Sequence, residues 1–274
     1  MVVAKRVTAP LQRLSDNMSF DLLYISLGGC VGFIVGLTGV GGGSLMTPAL
    51  VLLFGVHPAT AVGTDLLYAA TTKSVGSFVH ALRRNVAWRV VALLSVGSVP
   101  AAIATLVVLS RLGAQSGLTA KAITIVLGFA LLLTSVLLIF RRWLLNLRRL
   151  RPTSGARRDI LLTILFGAVI GLLVSVSSVG AGAIGVTALL LLYPTYSTAR
   201  IVGTDIAHAV PLTLVAGAGH WLTGSVDTSM LLSLLMGSIP GIVLGSYLAP
   251  RIPEQGLRYT LAVVLMVVGG RLVT

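Results

Sequence analysis

Six ionisable side chains interrupt otherwise apolar stretches of this sequence: Asp65, Lys73, His80, Asp205, His208 and His220. A carboxylate or ammonium at the centre of a lipid-buried helix costs roughly 2.5–3.5 kcal/mol on insertion scales. Residues of that kind in that setting point to ion coupling, charge balance or gating. On a helical wheel Asp65, Thr72, Gly76 and His80 share one face with Lys73 at its edge, and Asp205, Thr213 and His220 share another. His208 follows Asp205 by three positions, and Pro211 frees the carbonyl of Ala207 and favours a kink. Each residue also has a plainer reading. Asp65 and Asp205 both follow Gly-Thr near the start of an apolar run, where a carboxylate can cap a helix. His80 and His220 stand near run ends, where an interfacial histidine is ordinary. His57, before Pro58, reads as part of a connector.

Two glycine clusters offer chemistry of a different kind. Gly39-Val40-Gly41-Gly42-Gly43-Ser44 breaks one apolar run, and Ser177-Ser178-Val179-Gly180-Ala181-Gly182 breaks another. Irregular backbone leaves N–H and C=O groups unpaired, and it is tolerated at membrane depth only inside protein or beside water. The apolar pieces that follow, Ser44 to Phe54 and Ala183 to Tyr193, are too short to cross a bilayer at about 1.5 Å per residue. A helix that restarts after a break presents N–H groups and the positive end of its dipole, a combination that suits anions. The competing reading is that the glycines only permit close packing, as the spacing of Gly28, Gly32 and Gly36 and of Gly237, Gly241 and Gly245 suggests. Neither cluster is a nucleotide loop, because no lysine follows the glycines and Ser44 replaces the third glycine of a dinucleotide motif.

The elements that carry these residues belong in lipid. Of 274 residues 56% are hydrophobic and only 10% charged, and the mean hydropathy is +1.01. Soluble domains carry about 25% charged residues, so a water-soluble barrel or globule is excluded. The net charge of +13 sits in short gaps between apolar runs, the pattern of basic cytoplasmic loops rather than of a nucleic-acid-binding surface. Cys30 is the only cysteine, which rules out an intrachain disulfide and a cysteine-based zinc site. No clustered His and carboxylate spacing calls for a metal, no serine is paired with a base, and no cofactor is expected.

Eight runs are long enough to span: about 22–39, 60–82, 88–109, 120–140, 160–176, 199–222, 230–249 and 257–272. Residues 1–20 read as a short interfacial helix. The stretch 141–158 holds seven arginines and divides the chain into repeats at 21–140 and 159–274. Val62-Gly-Thr-Asp65 recurs as Val202-Gly-Thr-Asp205, His80 aligns with His220, and Gly97-Ser98-Val99-Pro100 with Gly237-Ser238-Ile239-Pro240. Gly41 to Gly43 answer to Gly180 to Gly182, and Gly32 and Gly36 to Gly167 and Gly171 with a small gap. An odd number of crossings per half would make the repeats inverted, with the arginine-rich gap cytoplasmic and Lys5, Arg6 and Arg13 on the other side.

These motifs resemble the TauE/SafE family of sulfite and organosulfonate permeases. The resemblance rests on Gly36-Leu-Thr-Gly-Val-Gly-Gly-Gly-Ser44, Val62-Gly-Thr-Asp-Leu-Leu67, Lys73, His80, Asn85-Val86-x-Trp88, Gly180-Ala-Gly182 and Val202-Gly-Thr-Asp205. It covers nearly all the chain after Phe20, and it departs where Ala181 and Ala183 replace the first repeat's Gly42 and Ser44. It implies a multi-pass protein of a bacterial-type inner membrane that moves small sulfur-containing anions. The expectation is an all-α membrane bundle of two repeats, each with one short broken helix, working as a secondary transporter and not as an enzyme. The substrate would sit among Gly41, Gly42, Gly43, Ser44, Thr64, Gly180, Ala181, Gly182, Ala183 and Thr204. Asp65, Lys73, His80, Asp205, His208 and His220 would couple and gate, with H+ or Na+ as the coupling ion. Lipid is the expected partner, nucleic acid is not, and a homodimer is left open. Two rivals stand beside this reading: a metal-cation or proton permease that uses Asp65 and Asp205, and a membrane-embedded enzyme or assembly factor without transport.

Overall fold

The computed structural model describes residues 22–38, 43–113, 115–141, 143–144, 156–249 and 254–274. The segment 1–20, most of the 141–158 gap, and Gly41 and Gly42 lie outside the described residues. Among the described residues the helices are α1 (Leu22–Thr38), α2 (Gly43–Phe54), α3 (Pro58–Leu82), α4 (Trp88–Leu112), α5 (Gly117–Ile139), α6 (Ala156–Ser177), α7 (Ala183–Leu192), α8 (Thr198–Leu222), α9 (Thr228–Leu248) and α10 (Glu254–Val273). Six of them (α4, α5, α6, α8, α9 and α10) are long and apolar enough to cross a membrane. The interrupted pieces are the short helices α2 and α7, close to the expected bounds. α3 is long but carries Asp65, Lys73, His80 and several hydroxyls, which dilute its hydropathy.

Helix starts follow local chemistry. Ser116, Ser197 and Asp227 accept hydrogen bonds from Thr119 N, Arg200 N and Met230 N at the heads of α5, α8 and α9. Pro58 opens α3 behind His57, at the position where a missing N–H costs nothing. Asp65 and Asp205 therefore cap nothing: each stands in the interior of its helix, and the capping reading is overturned.

The two halves interlock. α3 packs on α8, α4 on α6, and α5 on α10, while the glycine stripe of α1 meets α9. Each of these pairs joins one helix from either side of the basic gap. α3 and α8 run antiparallel: a Cβ placed on Gly63 would lie 2.1 Å from Ser225 O beyond the end of α8, and one on Gly203 would lie 2.3 Å from Asn85 O beyond the end of α3. Such passes bring backbones together, which drives helix association in lipid through packing and hydrogen bonds.

The contacts also correct the register of the first helices. A Cβ on Gly28 would meet Leu234 O, and one on Gly32 would meet Ser238 O; Gly167 and Gly171 meet Leu94 O and Ser98 O in the same way. Gly28 and Gly32, not Gly32 and Gly36, thus answer to Gly167 and Gly171, at the same offset as the glycine clusters and without a gap. The sequence alignment slipped one helical turn because glycines recur every four residues along α1.

Candidate functional site

The site is built where α3 and α8 run through the middle of the bundle. Residues 61–66 of α3 are buried on every side, which leaves Thr64 and Asp65 no outward face. Asp65 Oδ2 accepts a hydrogen bond of 2.5 Å from Thr47 Oγ1 of α2. Ser178, in the break between α6 and α7, lies close enough to act on the same carboxylate, while its hydroxyl is buried without a hydrogen-bond partner. Three elements therefore converge on one acid.

The second break is made by its backbone. Ser178, Gly180 and Gly182 have φ of 59°, 132° and 137°, a region that side chains beyond glycine rarely occupy. α6 therefore stops at Ser177 and α7 starts afresh at Ala183, with Gly185 N donating to Gly180 O at 3.0 Å across the join. Lys73 reaches into this turn from α3, and its Nζ donates to Ala181 O at 3.1 Å. The Lys73 ammonium also lies within electrostatic reach of both Asp65 and Asp205. Asp205 sits against the first turn of α7, so close that a Cβ on Gly185 would come within 1.9 Å of Oδ1. Leu45, in the first turn of α2, packs in one apolar cluster with Val179 and Ala183 of the second break. The heads of the two short helices thus share a neighbourhood, with Ser44 buried beside it.

Other expected residues are placed differently. Thr64 Oγ1 accepts from Asp227 N at 3.1 Å, and Thr204 Oγ1 accepts from Ala87 N at 3.0 Å. Each threonine fastens the start of a helix in the other half. His208 Nε2 meets Ser98 Oγ at 2.8 Å. The position that answers to His208 is Tyr68, whose phenol bonds Ser238, the counterpart of Ser98. His220 is buried, and its Nε2–H donates to Ser175 O at 2.9 Å. His80 is half-buried beside Gly203.

Sequence reasoning missed Thr47, Tyr68, Ser98, Ser178, Gly185 and Ser238. Alignment of the halves could have found two of these pairs, because Tyr68 with His208 and Ser98 with Ser238 are polar at both equivalent positions. Ser178 carried a signal too, since it stands where the first repeat has Gly39. Thr47 and Gly185 had none, as each owes its place to a partner distant in sequence.

A cavity of about 40 Å3 opens between the ends of α1, α5 and α10, lined by Thr38, Arg141 and Arg258 among others. No group of three or more His, Cys, Asp or Glu residues suited to a metal occurs among the described residues.

Comparison with known proteins agrees with this architecture. Residues 24–272 match the model of the family described as Sulfite exporter TauE/SafE. A Bacillus subtilis protein named probable membrane transporter protein YjnA is 38% identical over 260 residues, covering 93% of this chain and all of that one. A probable membrane transporter protein of Xylella fastidiosa is 26% identical over 236 residues, 84% of this chain and 85% of its own. No solved structure matches. With Asp65 and Asp205 buried, Lys73 half-buried beside them and this match over nearly the whole chain, the chain belongs to the TauE/SafE family and is a multi-pass membrane transporter.

Proposed function

We propose that the protein is a secondary transporter of a small sulfur-containing anion, sulfite or an organosulfonate, driven by an ion gradient. The observation that carries this reading is Lys73, whose ammonium is held at the Ala181 carbonyl inside a broken helix. A cation there is a ready counter-charge for an anion, and the heads of α7 and α2 add N–H groups and dipole ends of the same sign. The arginine-lined cavity beside Thr38 supports an approach path on the side of the basic gap, one residue ahead of the first glycine cluster. Asp65 and Asp205 flank the lysine and form the coupling path, and the family description itself names sulfite.

In this reading the two halves are inverted repeats in the membrane. The antiparallel pairing of α3 with α8, and the exchange of Thr64 and Thr204 contacts between halves, support it. The substrate hypothesis is tested with purified protein in liposomes: sulfite uptake should exceed that of protein-free vesicles, and uptake no faster than theirs would reject sulfite. A panel of oxyanions and sulfonates scored by thermal stabilisation then ranks the alternatives.

A further inference from the structure

The charges around the second break set a condition on any anion that enters it; the inference rests on the anion reading above. Asp65 and Asp205 both act on Lys73. The other titratable groups that face the cluster are Tyr68, bonded to Ser238, and His208, bonded to Ser98. With the imidazole neutral and both carboxylates ionised, the cluster carries one net negative charge. A monoanion arriving alone would double that charge where little water screens it. Something positive must come with it.

Asp65 has a place for a proton. Its Oδ2 is taken by the Thr47 hydroxyl. Its Oδ1 is buried without a hydrogen-bond partner, and so is Ser178 Oγ. A buried polar atom left unpaired is costly, and here two of them belong to groups close enough to act on each other. A small rotation of the Ser178 side chain would set a hydrogen between the two atoms and satisfy both, and that hydrogen can come from either side.

We propose that Ser178 couples protonation of Asp65 to anion binding, one proton for each monoanion, so that transport is electroneutral. With Asp65 ionised, the Ser178 hydroxyl donates to Oδ1 and turns its lone pairs toward the break, which repels an anion. With a proton on Oδ1, that O–H donates to Ser178 Oγ. The serine hydrogen then points into the break and donates to the anion, while the Lys73 ammonium leaves the Ala181 carbonyl for the same ligand. The proton boards with the anion and departs with it, and only O–H bonds form and break.

The test uses the full chain in liposomes with methanesulfonate, a monoanion whose own charge does not change near neutral pH. Binding should tighten by about tenfold for each unit of falling pH above the titration of Asp65, the slope of one linked proton. An inward proton gradient should drive accumulation, and a potassium-diffusion potential should not. Ser178→Gly keeps a residue at ease with φ of 59° and removes the hydroxyl; it should flatten the pH dependence. Asp65→Asn should flatten it too and abolish accumulation driven by the proton gradient. Wild-type binding indifferent to pH, uptake driven by potential or by sodium, or a Ser178→Gly protein with full pH dependence would each overturn the coupling. The wild-type measurements decide even if a variant fails to fold. Absence of binding or transport for every sulfonate and oxyanion would instead remove the anion reading beneath it.

Discussion

Lys73 is the residue at which stability and function pull apart. Its ammonium serves Asp65, Asp205 and the Ala181 carbonyl together. Removing one partner of a buried charge cluster typically costs about 3–5 kcal/mol, because the remaining charges lose their compensation. Lys73→Met should therefore lower the thermal midpoint markedly and also abolish stabilisation by oxyanions. The double variant Lys73→Met with Asp205→Asn removes one of the stranded carboxylates, so it should regain much of the midpoint while its oxyanion response stays absent. Recovery of both would show that Lys73 holds the fold and does not hold the ligand. Gly185 poses a purely steric question beside it. Its Cβ would fall on Asp205 Oδ1, so Gly185→Ala should cost about 1–3 kcal/mol, the usual range for overpacking. Pairing it with Asp205→Ala should cancel much of that cost in a double-mutant cycle.

At the scale of the element, backbone approach outweighs hydrogen bonding in joining the two halves around α3 and α8. An interhelical side-chain hydrogen bond in a membrane averages about 0.6 kcal/mol and reaches about 1.7. Thr64→Val and Thr204→Val, which remove the acceptors for Asp227 N and Ala87 N, should each shift the thermal midpoint only modestly. Gly63→Ala and Gly203→Ala drive a methyl into the Ser225 and Asn85 carbonyls, and backbone cannot swing aside as a side chain can. They should lower the midpoint well beyond the threonine variants, and equal shifts from the two sets would refute the ranking. Gly270→Ala is the control, since no atom lies within 4 Å of its Cβ and alanine favours helix by about 1 kcal/mol. The sequence disclosed these elements unevenly, for physical reasons. Glycine runs punctuate hydropathy, so α2 and α7 were legible almost to the residue. The Val-Gly-Thr-Asp repeat showed that Gly63 and Gly203 are equivalent. It did not show that each packs beside the other's histidine, because an offset along the chain carries no information about a rotation in space. The bonding of the threonine hydroxyls was hidden for the same cause: their motif adjoins the aspartates, yet those hydroxyls turn toward helix starts from the other half.

The whole molecule is held by exchange between halves. α1 meets α9, α4 meets α6, α3 meets α8 and α5 meets α10, so every one of these pairs straddles the arginine-rich gap. Equivalent bonds recur across it: Thr64 to Asp227 N with Thr204 to Ala87 N, and Tyr68 to Ser238 with His208 to Ser98. A half made alone would keep its apolar spans but expose the glycine stripes of its helices to lipid, with Ser98 or Ser238 lacking its partner. Lipid competes poorly for these surfaces, because close backbone packing and interhelical hydrogen bonds are what distinguish protein from hydrocarbon as a neighbour. Cutting the chain within 145–155 should consequently give two fragments that insert separately but are degraded when produced singly. Produced together they should co-purify as a one-to-one pair, with a thermal midpoint near that of the intact chain. The arginines of the gap then serve orientation rather than cohesion, since short basic loops fix which side a span faces. A first half that is stable and monodisperse by itself would overturn the interlocked account.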